Sequence, residues 1–436
     1  METAPGTRGA YPQMKGCVKM EKLKICGGSR LSGTLRVHGA KNAALPILAA
    51  SLLPGECVLH NCPRLTDVEA ACNILAQLGA SAHREGESVV VSSGGDCCCC
   101  IPDELMRRMR SSIVFLGAII AKCGWARISL PGGCELGPRP IDLHLAALER
   151  LGVEIGEDHG YLDCRVRDRL HGGIVTLPFP SVGATENVMI AAALAEGETV
   201  IRNAAREPEI SDLADFLNAC GGRVRIAQNG DVRIEGVRSL SPCEHRVISD
   251  RIAAATYLSC AAITGGELLL TGVCTEHLSA VLPCFEEMGC RIETTAETIR
   301  LAAPKRLHPL RCVRTMPYPG FPTDAQSPLM AAACLADGSS MFVENIFESR
   351  YKQVPELARM GADIKVEGRI ALVHGVRELH SASVHCTDLR GGAAIAVAAL
   401  AAQGESELLE IGHIDRGYER VEENLASIGA QVRREA

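Results

Sequence analysis

Apolar and polar positions along the chain follow a pattern that returns six times. One motif is a helical stretch ending in an apolar residue plus glycine, then a short strand, a polar turn and a second strand. It occurs at Leu78-Gly79, Leu151-Gly152, Cys220-Gly221, Met288-Gly289, Met360-Gly361 and Ile428-Gly429. Subtracting neighbouring glycine numbers gives spacings of 73, 69, 68, 72 and 68 residues. A second motif, an Ala-rich helix ending at glycine before a strand, recurs at Gly55, Gly124, Gly197, Gly266, Gly338 and Gly404. Glycine suits these helix ends because a left-handed residue is cheap only without a Cβ. Each unit therefore predicts two helices and about four strands. Self-similarity of this period calls for helices around a shared core with sheets packed outside, three units to a domain.

Length agrees with that division, since 436 residues suit two large domains. Aromatic residues are only 3% of the chain, so the cores rest on small side chains packed closely. No apolar run approaches the roughly 18–20 residues of a membrane helix, and Ala393 to Ala402 reads as a core helix. Residues 1–19 carry no apolar h-region and predict a disordered leader, with Met14 or Met20 as alternative starts. A net charge of −7 excludes a general nucleic-acid surface, so an anionic ligand needs a local cluster of Arg and Lys. The 21 cysteines are odd in number and scattered, which predicts reduced thiols that are mostly buried. The run Cys97 to Cys100 lacks paired zinc spacing, so no metal and no cofactor is expected.

Nucleotide-binding glycine motifs and the G-x-S-x-G elbow are missing. What remains is a set of polar segments between the repeats. Gly39-Ala40-Lys41-Asn42 places Lys41 at a helix N-terminus, where backbone N–H groups favour an anion. A solvated surface lysine is the plain alternative. Leu130 to His144 reads LPGGCELGPRPIDLH; its three glycines and three prolines exclude a helix or central strand over Pro131 to Pro140. A loop carrying Cys134 and Arg139 reads as an active-site lid, since cationic neighbours favour thiolate. Asp324 precedes an apolar helix and is either an N-cap or a general base. Arg350, Asp388, Arg390 and Arg416 lie in polar connections; with Lys41 and Arg139 their cations suffice for a ligand with several negative charges. Ser181-Val182-Gly183 opens a helix with small residues, which suits a diphosphate.

These segments resemble the enolpyruvyl transferases, and among them the UDP-N-acetylglucosamine 1-carboxyvinyltransferase family. The resemblance runs from about Lys24 to the C-terminus. It rests on GAKNAALPILAA from Gly39, LPGGCELGPRPIDLH from Leu130, NAAREPEI from Asn203, FPTDAQ from Phe321, TDLR from Thr387 and HIDRGYER from His413. It implies an inside-out α/β barrel of two domains, each of three repeated fold units. The division is 20–40 plus 250–436 and 41–249, with crossings near Lys41 and Asp250. It also implies transfer of the enolpyruvyl group of phosphoenolpyruvate to the 3-hydroxyl of UDP-N-acetylglucosamine. In that family this is the cytoplasmic first committed step of peptidoglycan synthesis, and it is inhibited by fosfomycin.

By the resemblance, Lys41, Arg139 and Arg416 grip phosphoenolpyruvate. Asn42, Arg110, Arg139, Pro140, Ile141, Asp142, Leu143, Ser181, Val182, Gly183, Asp324 and Ile346 face the nucleotide sugar. Cys134 transfers a proton to the methylene, Asp324 is the base, and Arg350, Asp388 and Arg390 are further site charges. The expected partners are the two substrates alone, without nucleic acid or membrane, on a monomer or weak oligomer. Ala253, Gly117-Ala118 and Val114 depart from the family's usual residues. Two rivals stay open: the sister enzyme acting on shikimate 3-phosphate, and a non-catalytic repeat scaffold. The PGGC loop and the REPE segment favour the nucleotide sugar.

Overall fold

Helices made almost entirely of small apolar residues have no polar face to show to water, so they must be buried all round. The computed structural model describes residues 21–95, 97–129 and 141–435, with the backbone alone at Arg110. In it all thirteen residues of the helix Arg251–Ile263 are buried, as are twelve of the thirteen of Leu389–Ala401. These two pack with Thr323–Ala333 into a trio, and Lys41–Ala50, Phe115–Cys123 and Val182–Ala192 form a second trio. Alanine, glycine, serine and cysteine let the axes approach closely. One half-exposed helix per unit flanks each trio: Thr66–Gln77, Asp142–Glu149 and Pro208–Ala219 in one, Leu282–Glu287, Val354–Arg359 and Val421–Ser427 in the other.

Outside the helices, the described residues form six four-stranded sheets of one design, plus a two-stranded one. Each has a parallel pair at one edge followed by two antiparallel pairings. Ile174–Thr176, for example, runs parallel to Glu198–Arg202, which pairs with Val232–Glu235 and then Arg223–Ile226. Alternate residues face the helices, as Val232 and Ile234 do, while Arg233 and Glu235 face water. The repeat glycines 79, 152, 221, 289, 361 and 429 all have φ between 86° and 98°. In the second set the fourth unit differs from expectation. Its left-handed residue is Gly265 (φ 64°), whereas Gly266 is needed because a Cβ there would lie 2.4 Å from the Leu31 carbonyl.

Two hydrophobic cores result. One is drawn from residues 40–247, the other from residues 23–37 and 252–430. Strand Lys22–Cys26 pairs with both Glu405–Leu409 and Gln431–Glu435, and Ser32–Arg36 lies parallel to Glu267–Thr271. In the other half, Cys243–Arg246 returns to lie parallel to Glu56–His60. The two crossings between halves run side by side, Ala40 N–H donating to Ile248 O (2.7 Å) and Asp250 N–H to His38 O (2.9 Å). Gly39 is obligatory at this point, because a Cβ would sit 1.8 Å from the Asn61 carbonyl oxygen. Asp250 then serves both halves. Its Oδ1 accepts the amides of Ile252 (2.8 Å) and Ala253 (2.9 Å), and its Oδ2 accepts that of Lys41 (3.2 Å). No helix among the described residues is long and apolar enough to cross a membrane.

Candidate active site

Lys41 is the first residue of its helix, and the crossing holds it at the boundary of the two cores. Its ammonium lies 3.2 Å from Asp67 Oδ2, and Arg416 from the other half reaches the same carboxylate, Nε to Oδ1 at 2.9 Å. Asp67 stands in the first turn of Thr66–Gln77, where an acid is ordinarily solvated and serves the helix dipole. It is instead 2% exposed. Burial would raise its carboxyl, but Lys41 and Arg416 outweigh that and hold it below the usual range. Burial pushes the Lys41 ammonium down, as do the cations of Arg390 and Arg416; Asp67 and Asp324 pull it back up.

A second carboxylate is clamped beside this group. Asp324 follows Thr323 in its helix, and the N-cap place belongs to Pro322, so the capping alternative is overturned. Its Oδ1 accepts from Arg350 at 2.7 Å and its Oδ2 from Arg390 at 3.0 Å. Burial favours the neutral acid, yet Arg390, Arg350 and Lys41 together hold the carboxyl far below the usual carboxylate range. Arg390 also donates to the Tyr418 hydroxyl (3.1 Å), which is hydrogen-bonded to Thr256 Oγ1 (2.8 Å). Arg350 donates to Thr323 O (3.1 Å). Asp388 takes a different part from its neighbours: its Oδ1 caps Leu389–Ala401 by accepting from Arg390 N (2.9 Å) and Gly391 N (3.0 Å). Asn42 is half-buried beside Lys41.

Lys41, Arg350, Arg390 and Arg416 thus meet Asp67 and Asp324, four cations to two carboxylates. The surplus of positive charge is partly dry, which strengthens its hold on a multiply charged anion. Such an arrangement can bind, orient and neutralise a phosphate or carboxylate without a metal ion.

A second constellation joins two other expected segments. Ser181 is the N-cap of Val182–Ala192, its Oγ accepting from Ala184 N (3.4 Å), and Ile141 precedes the helix Asp142–Glu149, which contains Leu143. His144 packs on Gly183, where a Cβ would lie 2.8 Å from its ring. Asn187 accepts from Gly117 N through Oδ1 (2.8 Å) and donates to Ile113 O (2.9 Å). That orientation aims its remaining N–H at His144 Nδ1 (2.7 Å), which must accept, so the ring proton is on Nε2. Burial keeps this imidazole neutral, with its pKa pushed down to about 4. Ile346 N–H donates to buried Glu344 (2.7 Å), whose other oxygen accepts from Thr323 Oγ1 (2.9 Å). Cys134, Arg139 and Pro140 lie outside the described residues, as do the side chain of Arg110 and residues 1–19.

A family model of EPSP synthase (3-phosphoshikimate 1-carboxyvinyltransferase) matches residues 25–425. The chain belongs to this enolpyruvyl transferase family. It is 49% identical over 414 residues to UDP-N-acetylglucosamine 1-carboxyvinyltransferase 2 of Caldanaerobacter subterraneus, covering 95% of this chain and 99% of that one. It is 50% identical over 420 residues to UDP-N-acetylglucosamine 1-carboxyvinyltransferase 1 of Symbiobacterium thermophilum, covering 95% of each. Among solved structures it resembles the enolpyruvyl transferase NikO from Streptomyces tendae, with TM-score 0.86, 25% identity and 95% and 99% of the two chains covered. EPSP synthase from Acinetobacter baumannii shares the fold, with TM-score 0.72 at 17% identity over 95% and 100% of the chains. The inside-out α/β architecture is therefore that of the enolpyruvyl transferases.

Sequence reasoning missed Asp67, Glu344 and Tyr418 as parts of this transferase's candidate site and its support, and it read Asp250 as the place of a crossing without its hold on the Lys41 amide. The REPE segment, which favours the nucleotide-sugar family, joins the two halves. Glu209 holds Arg251 of the other half through two hydrogen bonds (3.0 and 3.2 Å), and Glu207 accepts from Tyr318 N (3.3 Å). Of the departures, Ala253 and Val114 are buried in the cores. Ala118 is buried with them, and Gly117 before it is pressed against Asn187, where a Cβ would lie 2.4 Å from the carbonyl oxygen.

Proposed function

We propose that the chain transfers the enolpyruvyl group of phosphoenolpyruvate to the 3-hydroxyl of UDP-N-acetylglucosamine and releases phosphate, as the cytoplasmic first committed step of peptidoglycan synthesis. The observation that carries this is the cation cluster at the boundary of the cores, in a chain about half identical to relatives bearing that activity's name. The domains are 20–40 plus 250–436 and 41–249, a division that the two hydrophobic cores support. Lys41 and Arg416, with Arg139, hold the donor's phosphate and carboxylate. The segments Ile141 to Leu143 and Ser181 to Gly183, with Asn42, Arg110, Pro140 and Ile346, face the nucleotide sugar.

In the reaction, the sugar hydroxyl attacks C2 of the donor while an acid protonates C3. The phosphoketal then expels phosphate and returns a C3 proton. Cys134 is the acid and Asp324 the base. While Arg350 and Arg390 both hold Asp324, its carboxylate is a weak base. A donor anion that draws one guanidinium away restores its basicity, which couples donor binding to activation of the acceptor.

Mixing the protein with phosphoenolpyruvate and each acceptor separately tests the reading. Phosphate release is expected with UDP-N-acetylglucosamine. Release with shikimate 3-phosphate alone would replace the reading, and release with neither would favour the scaffold. Cys134→Ser is expected to suppress turnover in a folded chain, and fosfomycin to add covalently to the peptide holding Cys134. Wild-type turnover, or an unmodified peptide by mass spectrometry, would remove the thiol from the mechanism.

Asp67 supports the charge of Lys41, so Asp67→Asn is expected to lower the ammonium's pKa further. The alkaline limb of kcat/KM for phosphoenolpyruvate then moves to lower pH. An unshifted limb would show that Lys41 does not need this counter-ion.

A further inference from the structure

Three cysteines far apart in sequence meet inside the first core, away from the cation cluster. Cys57 on Glu56–His60 stands directly beside Cys243 on the parallel strand Cys243–Arg246. Cys220 ends the helix Pro208–Ala219 and points into the same space, its sulfur 3.1 Å from that of Cys243. All three sulfurs lie within 4.8 Å of one another. Cys57 and Cys220 are essentially inaccessible and Cys243 is half-buried. The other described buried thiols, such as Cys164, Cys260 and Cys334, behave as small hydrophobes whose pKa burial pushes up to about 12.

We propose that Cys57, Cys220 and Cys243 form a three-thiolate site for a divalent thiophilic d10 ion of the zinc class. Zinc–sulfur bonds of about 2.3 Å at tetrahedral angles set the sulfurs about 3.8 Å apart. The Cys220–Cys243 pair opens by about 0.7 Å to reach that spacing. An all-sulfur donor set selects soft or borderline ions over magnesium or calcium. Charge selects a divalent one: three thiolates leave −1 around a divalent ion and −2 around a monovalent one, and the smaller residue is easier to bury. Water completes the coordination.

Binding displaces the thiol protons to solvent, so affinity rises with pH. Such an ion joins the third unit's outer helix to the strand that leads into the second crossing. That strand is already tied to the same helix by His245 and Asp212 (2.9 Å).

The test uses the full chain with Cys97 to Cys100 replaced by serine, so that this separate thiol run does not compete. After chelator treatment, Cd2+ is titrated and followed by its sulfur-to-metal charge-transfer absorption. Zn2+ content is measured by elemental mass spectrometry, and Tm with and without Zn2+. The expected result is one equivalent per chain, a raised Tm and unchanged kcat. Uptake should be lost in both Cys57→Ala and Cys243→Ser and kept in Cys164→Ala. Cys243 is half-buried, so its serine variant keeps the test available if Cys57→Ala does not fold. Uptake that survives both substitutions, no uptake at all, or a Cys220–Cys243 disulfide that forms in place of binding would overturn the proposal.

Discussion

Asp324→Asn is expected to lower the rate of phosphate release by about 10²- to 10⁴-fold, the range carried by a positioned acid–base group. Asparagine keeps the shape and can accept from one guanidinium, but it cannot take the hydroxyl proton or neutralise Arg350 and Arg390. Loss of a charge-assisted hydrogen bond costs about 2 kcal/mol, so the variant stays folded with a lower denaturant midpoint. Arg350 still holds Thr323 O and Arg390 still holds Tyr418, which preserves the local frame.

The stability difference has a pH signature. The folded pKa of Asp324 lies below its unfolded value, so its ion pairs stabilise fully above an unfolded carboxylate pKa of about 4 and fade as pH falls. Wild type and variant should therefore converge in stability on acidification. Wild-type phosphate release in the variant would remove Asp324 as base, whatever its effect on stability.

Lys41→Gln is expected to reduce kcat/KM for phosphoenolpyruvate by about 10²-fold or more, the effect of removing one partner of a dry charge pair. Binding of UDP-N-acetylglucosamine alone, read by calorimetry, should change little, because its expected contacts lie mainly on the segments at Ile141 and Ser181. Glutamine fills much of the same volume and leaves the backbone N–H of residue 41 with Asp250. Arg416 still neutralises Asp67, so no buried carboxylate is left alone. Equal losses for both substrates would mean that residue 41 acts on the architecture of the crossing rather than on the donor.

Much of this site was legible in the chain because its cations sit at helix starts and loops, where polar residues interrupt strongly apolar stretches. Lys41, Arg350, Arg390 and Arg416 stand out that way, and the structure brings all four together. Asp324 was legible as a carboxylate but ambiguous in role. An acid in a helix's first turn reads as a cap until its neighbours in space are known. Asp388 shows the converse, since its expected site charge is occupied in capping the helix that carries Arg390.

The six-fold unit, the buried character of its helices and the glycine turns follow from local rules. Apolar spacing selects the face that must be covered, and a left-handed turn selects glycine. These leave a direct trace in residue order. Where the chain crosses, and which charges then meet, depends on packing between distant segments. Asp67 and Arg416 are separated by 349 positions, and no local pattern encodes their meeting. A buried acid at a helix start has the same sequence signature as a solvated one. Its environment, and therefore its charge and chemistry, appears only when the two cores close around it.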